Sequence, residues 1–193
     1  MVGLRLPGNG CEPITLWGNP VLRKTATPVT TFDKSVRRLV DQLFETMYAI
    51  DSGVGLAANQ IGRTDRVFVF DCHDGVAGYV INPVLEPVEV APQSGVEGCL
   101  SLPGFGLNTV RLAKCNVSGF DVSGAEIHYE GEGLRARCFQ HEVDHLDGRL
   151  YIDHHPEDVR ADLESQMRAT DWYGNNSMDP NSTLYRTYQS LDE

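Results

Sequence analysis

The segment Gln140-His141-Glu142-Val143-Asp144-His145 has the residue types and spacing of a metal site. On a helix, residues four apart share a face, so His141 and His145 can present two imidazoles to one ion. Glu142 follows the first imidazole and can reach a water held by such an ion, acting as its base. Two imidazoles do not complete a site. A catalytic metal commonly takes three protein ligands and keeps one position open for water or substrate.

Three sources of a third ligand can be weighed. One protease pattern extends H-E-x-x-H with a glycine three residues on and a histidine three beyond that. Gly148 fits the first step, but Tyr151 stands where the histidine should be. A second pattern takes a glutamate from a following helix, for which Glu157 and Glu164 are available. The third source is upstream, in Glu97-Gly98-Cys99-Leu100-Ser101, where Cys99 offers a thiolate and Gly98 lets the backbone pass close to an ion. Taken alone, Cys99 reads as a small buried hydrophobe. A different motif fails on context. Gly53-x-Gly55-x-x-Ala58 with Asp71 imitates a dinucleotide fingerprint, yet a long helix precedes it where a strand is needed.

Three segments occur in order: Gly53-Val54-Gly55-Leu56-Ala57-Ala58-Asn59-Gln60, Glu97-Gly98-Cys99-Leu100-Ser101 and Gln140-His141-Glu142-Val143-Asp144-His145-Leu146. Together they resemble the peptide deformylase family, whose signatures are G-Φ-G-Φ-A-A-x-Q, E-G-C-Φ-S and Q-H-E-x-D-H-L. All three are matched without a gap, and the resemblance runs from Ile14 to Tyr151. It implies a metal-dependent hydrolase that removes the N-terminal formyl group from formyl-methionine of newly synthesised proteins and releases formate. It implies Cys99, His141 and His145 as ligands of one divalent ion, natively Fe2+. The ligand types by themselves suit Zn2+, and Zn2+, Ni2+ or Co2+ can occupy a purified sample. Glu142 is then the base that takes a proton from water and returns it to the leaving amine, while the Gln60 side-chain amide and the Leu100 backbone N–H meet the charge on the formyl oxygen.

Helical spacing puts Leu134, Cys138 and His141 on one face, and with Val54 these are expected to line a methionine pocket. Backbone near Gly55 and from Leu102 to Gly106 is expected to pair with an extended nascent N-formylmethionyl peptide. Arg137 interrupts the apolar face and has no evident place. Arg111 can pair with Glu97 and steady the Cys99 segment, or Glu97 can cap a turn; Asp144 is expected to support the site. Two further readings compete: a zinc endopeptidase using His141, His145 and Glu164, and a non-catalytic module stapled by its ion. A protease needs no Cys99, and a staple needs no Glu142.

The expected fold is α+β, with antiparallel β-sheets packed around a central metal-binding helix and with N-terminal and C-terminal helices. From Phe32 to Ile50 the apolar residues Val36, Leu39, Val40, Leu43, Phe44, Met47 and Ile50 recur at three and four, predicting an amphipathic helix capped by Thr31 or Asp33 and ended by Gly53. Short strands are predicted at Val67–Phe70, Tyr79–Ile81, Val84–Val90, Val117–Val122 and Ile127–Tyr129. The metal helix is predicted over Leu134–Leu146 and a last helix over Pro156–Ala169. Residues 1–170 read as one catalytic domain and 171–193 as a polar tail. Trp172, Tyr173, Tyr185 and Tyr188 are its handles, either on its own body or on a neighbouring copy in a homodimer.

Composition narrows the class. The 193 residues suit one domain, with hydrophobic content of 41% and charged content of 22%. A formal charge of −11 disfavours direct nucleic-acid binding, which needs a basic surface. Apolar runs fall short of a membrane span. Five cysteines, an odd number without a C-x-x-C pair, fit a reducing compartment. With no secretory signal in the N-terminal stretch, a cytoplasmic protein is expected, in transient association with ribosomes if the resemblance holds.

Overall fold

The computed structural model describes residues 11–189. A central sheet of five antiparallel strands has the order β2 (Gly55–Ala57), β3 (Val67–Asp71), β4 (Ala77–Gly98), β5 (Gly106–Phe120) and β6 (Glu126–Glu132). A second, two-stranded sheet joins the chain's two ends, β1 (Ile14–Thr15) with β7 (Ser177–Met178). Four α-helices complete the order: α1 (Lys34–Tyr48), α2 (Leu134–Leu146), α3 (Glu157–Arg168) and α4 (Thr183–Gln189). The α+β class and antiparallel pairing are as the sequence predicts.

Helix α1 starts where Asp33 Oδ1 accepts from the Ser35 N–H at 2.7 Å. It ends at Tyr48 through Ala49, so Gly53 lies beyond the cap. Its apolar stripe packs with Val67 and Val69 in one core cluster, while Phe68 and Phe70 join α2 residues Ala136, Phe139 and Val143 in the other. Successive strand residues point to opposite faces. The buried run Val67-Phe68-Val69-Phe70 is therefore covered by α1 on one side and α2 on the other. Phe139 meets Phe70 edge-on at 4.9 Å and Phe68 at 6.2 Å, which anchors α2 on the sheet.

The strands are longer than predicted. Tyr79–Ile81 and Val84–Val90 fuse into the 22-residue β4, and β5 begins at Gly106 rather than Val117. Register shifts between Ile81 and Val84, Pro87 and Glu89, and Glu89 and Pro92 absorb three prolines, which have no N–H to give a ladder. Beyond these shifts β4 and β5 continue as a two-stranded ribbon, Gly98 pairing with Gly106. The turn between them carries Cys99. The polar tail folds back on its own body: Trp172 and Tyr185 are fully buried. The Tyr173 ring lies 5.9 Å from that of Trp17, tilted by 37°. The Tyr188 side chain lies outside the described residues.

Candidate metal centre and active site

Helix α2 follows β6 through Gly133, whose φ of 58° makes the reversal onto the sheet. One turn apart on this helix, the Nε2 atoms of His141 and His145 lie 3.2 Å from each other. Cys99, at the exit of β4, brings its Sγ to 3.2 Å from His145 Nε2. The ligating atoms of Cys99, His141 and His145 all lie within 4.8 Å of one another, and all three residues are buried. Two imidazoles and a thiol converging on one point are a donor set for a soft or borderline divalent ion, so the residues fit a metal. Neither glutamate of the protease reading belongs to this cluster. Glu164 pairs with Arg168 at 3.9 Å, and Glu157 is exposed at the start of α3.

The support around the cluster is ionic. Glu97 Oε1 lies 2.7 Å from His141 Nδ1 and so turns the Nε2 of that ring toward Cys99. Arg111 grips Glu97 with two bonds of 3.0 and 2.6 Å and reaches Asp144 at 2.5 Å. Glu97 is therefore paired and does not serve as a turn cap. With the side chains alone, burial pushes Glu97 up, but hydrogen bonds from His141 and Arg111 hold it well below the usual carboxylate range. Burial opposes the charged form of His141, which Cys99 and Glu97 nonetheless push well up. Burial, then the neighbouring His141, pushes His145 well down.

Glu142 is 3% exposed, its Oε2 has no hydrogen-bond partner among the described residues, and burial above all pushes its pKa up to about 7. It lines a cavity of about 620 Å3 together with Val54, Gly55, Gln60, Cys99, Leu100, Leu134, Cys138 and His141. The cavity thus gathers Glu142, Gln60, Leu100 and the expected methionine wall with two of the three ligand residues; His145 belongs to the ligand cluster but not to the lining, and of Leu102 to Gly106 only Gly104 and Gly106 line it. Gly55 is needed there, because a Cβ would collide with Glu142 Oε1 and lie 2.7 Å from Cys138 Sγ. Gln60 accepts from the Ala57 N–H at 2.8 Å, which fixes its amide and leaves Nε2 facing Cys99 Sγ at 3.6 Å and Ser101 Oγ at 3.4 Å. Leu134 is 50% exposed and stands at the rim.

Two contacts of the site escaped the sequence reading. The ring of Tyr151 stacks on His141 at 6.2 Å, and its hydroxyl donates to Phe105 O at 2.9 Å. The Tyr185 hydroxyl, from the tail, donates to Leu100 O at 2.8 Å. Tyr151 had a signal in its fixed distance from the histidines; Tyr185 was named as a handle of the tail, but nothing in the sequence pointed it at Leu100, 85 residues away.

Known proteins resemble this chain in both sequence and fold. The profile of the family described as polypeptide deformylase matches residues 11–161. A peptide deformylase of Acidothermus cellulolyticus is 48% identical over 163 residues, covering 84% of this chain and 89% of the relative. The crystal structure of a peptide deformylase from Legionella pneumophila superimposes with a TM-score of 0.75 at 37% identity, covering 81% of this chain and 93% of that one. The Ehrlichia chaffeensis peptide deformylase in complex with actinonin gives 0.77 at 31% identity, over 83% and 98% of the two chains. The match spans the hairpin with Cys99 and the helix with His141, Glu142 and His145, and on it this chain belongs to the polypeptide deformylase family.

Proposed function

We propose that this protein is a metal-dependent hydrolase that removes the formyl group from N-formylmethionine at the start of newly made polypeptides and releases formate. The observation that carries this reading is the buried Cys99–His141–His145 cluster beside a cavity lined by Cys99, His141 and the buried Glu142 carboxylate, whose Oε2 has no partner among the described residues, in a chain of this family. Held by Cys99 Sγ and the Nε2 atoms of His141 and His145, a divalent ion would supply Lewis acidity and an acidified water. Glu142 Oε2 takes a proton from the attacking water and delivers it to the amine nitrogen as the C–N bond breaks. Charge gathering on the formyl oxygen is met by the Gln60 side-chain amide and the Leu100 N–H. The methionine side chain lies against Val54, Leu134 and Cys138, and the backbone at Gly55 pairs with the extended peptide.

Finer readings follow from the same site. Ferrous iron is the physiological ion on family membership, although the thiolate and two imidazoles by themselves suit zinc as well; activity is then expected to decay in air. Formylated chains emerge at ribosomes in the cytoplasm, so the enzyme works there and meets the ribosome transiently. No helix among the described residues is long and apolar enough to cross a membrane. Sedimentation of the whole chain tests for pairing of two copies through the tail.

The deciding experiment is formate release from a formyl-Met tripeptide by anaerobically prepared, iron-loaded protein. Release that disappears in Cys99→Ala and Glu142→Ala, and that actinonin suppresses, supports the reading. No release from metal-replete protein would overturn it and favour an ion that only staples the fold.

A further inference from the structure

Arg137 puts a guanidinium on the wall of a cavity whose other lining residues from the first turns of α2, Leu134 and Cys138, are apolar. It is 9% exposed, and buried donors need partners. It finds them on the ribbon rather than in solvent. Nη1 donates to Gly95 O at 2.8 Å and to Thr109 O at 3.3 Å, the carbonyls of two residues paired across β4 and β5. The same nitrogen stands 3.7 Å from Glu97 Oε2. The strand makes room for this head group: a Cβ at Gly95 would lie 2.8 Å from Nη2. The guanidinium thus fills the slot beneath the ribbon that a side chain at position 95 would take.

That stretch of ribbon needs support. β3 pairs with β4 no further than Ile81, and β6 pairs with β5 no further back than Lys114. Around Gly95 the sheet is therefore two strands wide, which alone is marginally stable. Just beyond Gly95, residues Val96, Glu97 and Gly98 line the cavity, and their edge opposite β5 pairs with no other strand among the described residues. An open edge of this kind takes an extended peptide by strand addition.

The geometry points to Arg137 as a positioning residue: its guanidinium holds the Gly95–Gly98 edge of β4 where an extended substrate adds to it, and so governs recognition of the residues that follow the formyl-methionine. The inference rests on the deformylase reading above. Arg137 lines the cavity while its head serves the ribbon. Arg137→Met keeps the stem and removes the donors; Gly95→Ala displaces the head from the other side and keeps the charge.

The test compares metal-loaded wild type, Arg137→Met, Arg137→Lys and Gly95→Ala on N-formylmethionine amide and on a formyl-Met tripeptide, with amide hydrogen exchange over residues 93–98. For Arg137→Met the KM of the tripeptide is expected to rise about tenfold, the scale of one or two lost charged hydrogen bonds. The KM of the single-residue amide should move by about twofold, and kcat for both by less than that. Exchange in the ribbon should quicken. Gly95→Ala should reproduce this pattern, which keeps the proposal open to refutation even if Arg137→Met folds poorly. Arg137→Lys, with one charged donor left, should recover part of the loss. Equal KM increases for both substrates would assign Arg137 to the methionine slot and overturn the proposal, as would wild-type kinetics with wild-type exchange. Absence of formate release in the wild type itself would instead remove the deformylase reading.

Discussion

At the scale of single residues, two buried carboxyls near His141 have been given opposite characters. Glu97 is paired and held well below the usual carboxylate range, whereas Glu142 has no partner for its Oε2 among the described residues and is pushed up by burial to a pKa of about 7. A group exchanging a proton with water and then with an amine works best in that range. Glu142→Gln is expected to lower kcat by about 10^2- to 10^4-fold while metal content, read by elemental analysis, stays at the wild-type level. Loss of the metal along with the activity would mean that Glu142 serves the fold or the ligand set instead. Cys99→Ala should do the converse and empty the site. The paired carboxyls set the acid limit. Burial pushes Glu97 and Asp144 up, but His141 with Arg111, and His154 with Arg111, hold them below their ordinary values. A depressed folded pKa contributes stability above the unfolded value and loses it as pH falls. Unfolding free energy should therefore decline from about pH 4.5 downward, and Glu97→Gln should flatten that decline in a urea–pH series. Arg111→Ala, which strands both anions behind a side chain 4% exposed, should cost about 3–5 kcal/mol.

At the scale of elements, the site is an appointment between one helix and one hairpin turn, kept by glycines. Gly55→Ala is expected to reduce kcat and raise KM together, because the added methyl displaces both Glu142 and Cys138. A crystal structure of that variant with both side chains unmoved would contradict the argument. Charge in the methionine wall, as Val54→Asp or Leu134→Asp, should raise KM for formyl-Met peptides; unchanged kinetics would take these residues out of the pocket. Helices were the legible part of the sequence. Their three-and-four stripes survive in α1 and α2, with Leu134–Leu146 appearing at its predicted bounds. The two histidines of the metal cluster were legible too, since i and i+4 histidines need only a helix to meet; Cys99, read alone as a small buried hydrophobe, was named only through the family resemblance. The long ribbon was not legible. Pro83 and Pro92 fall outside the predicted strands as punctuation, and in β4 they and Pro87 sit at or beside register shifts that let the strand continue. Its outer face is exposed at Val96 and Val110, so polar and small residues between them carried no strand period. Arg137 was illegible for a related reason. Its partners are main-chain carbonyls of that unpredicted ribbon, and carbonyls leave no mark in a sequence.

At the scale of the whole molecule, the chain's ends close on each other behind the site. Ile14 pairs with Met178, the Leu16 N–H donates to Asn176 O at 3.1 Å, and the Tyr185 hydroxyl holds the carbonyl of Leu100, next to Cys99. Residues 171–189 have the composition of a solvated tail, yet Trp172 packs edge-on to Phe105 at 6.2 Å, within the loop that joins β4 to β5. Its indole N–H finds no hydrogen-bond partner among the described residues, so packing is what this side chain contributes. Trp172→Ala should then cost about 3–5 kcal/mol. Tyr185→Phe, which keeps the ring and leaves the Leu100 carbonyl without its donor, should cost about 1–3 kcal/mol. Because those contacts reach the turn that carries Cys99, the tail and the metal site should unfold as one. Urea titration of the cobalt-substituted protein reads both at once, through tryptophan fluorescence and through the thiolate–metal absorption band. Coincident midpoints, shifting together in Tyr185→Phe, are the expected outcome. A tail transition well below that of the metal site would show that residues 171–189 only rest on the body, and would separate the chain's closure from its catalytic centre.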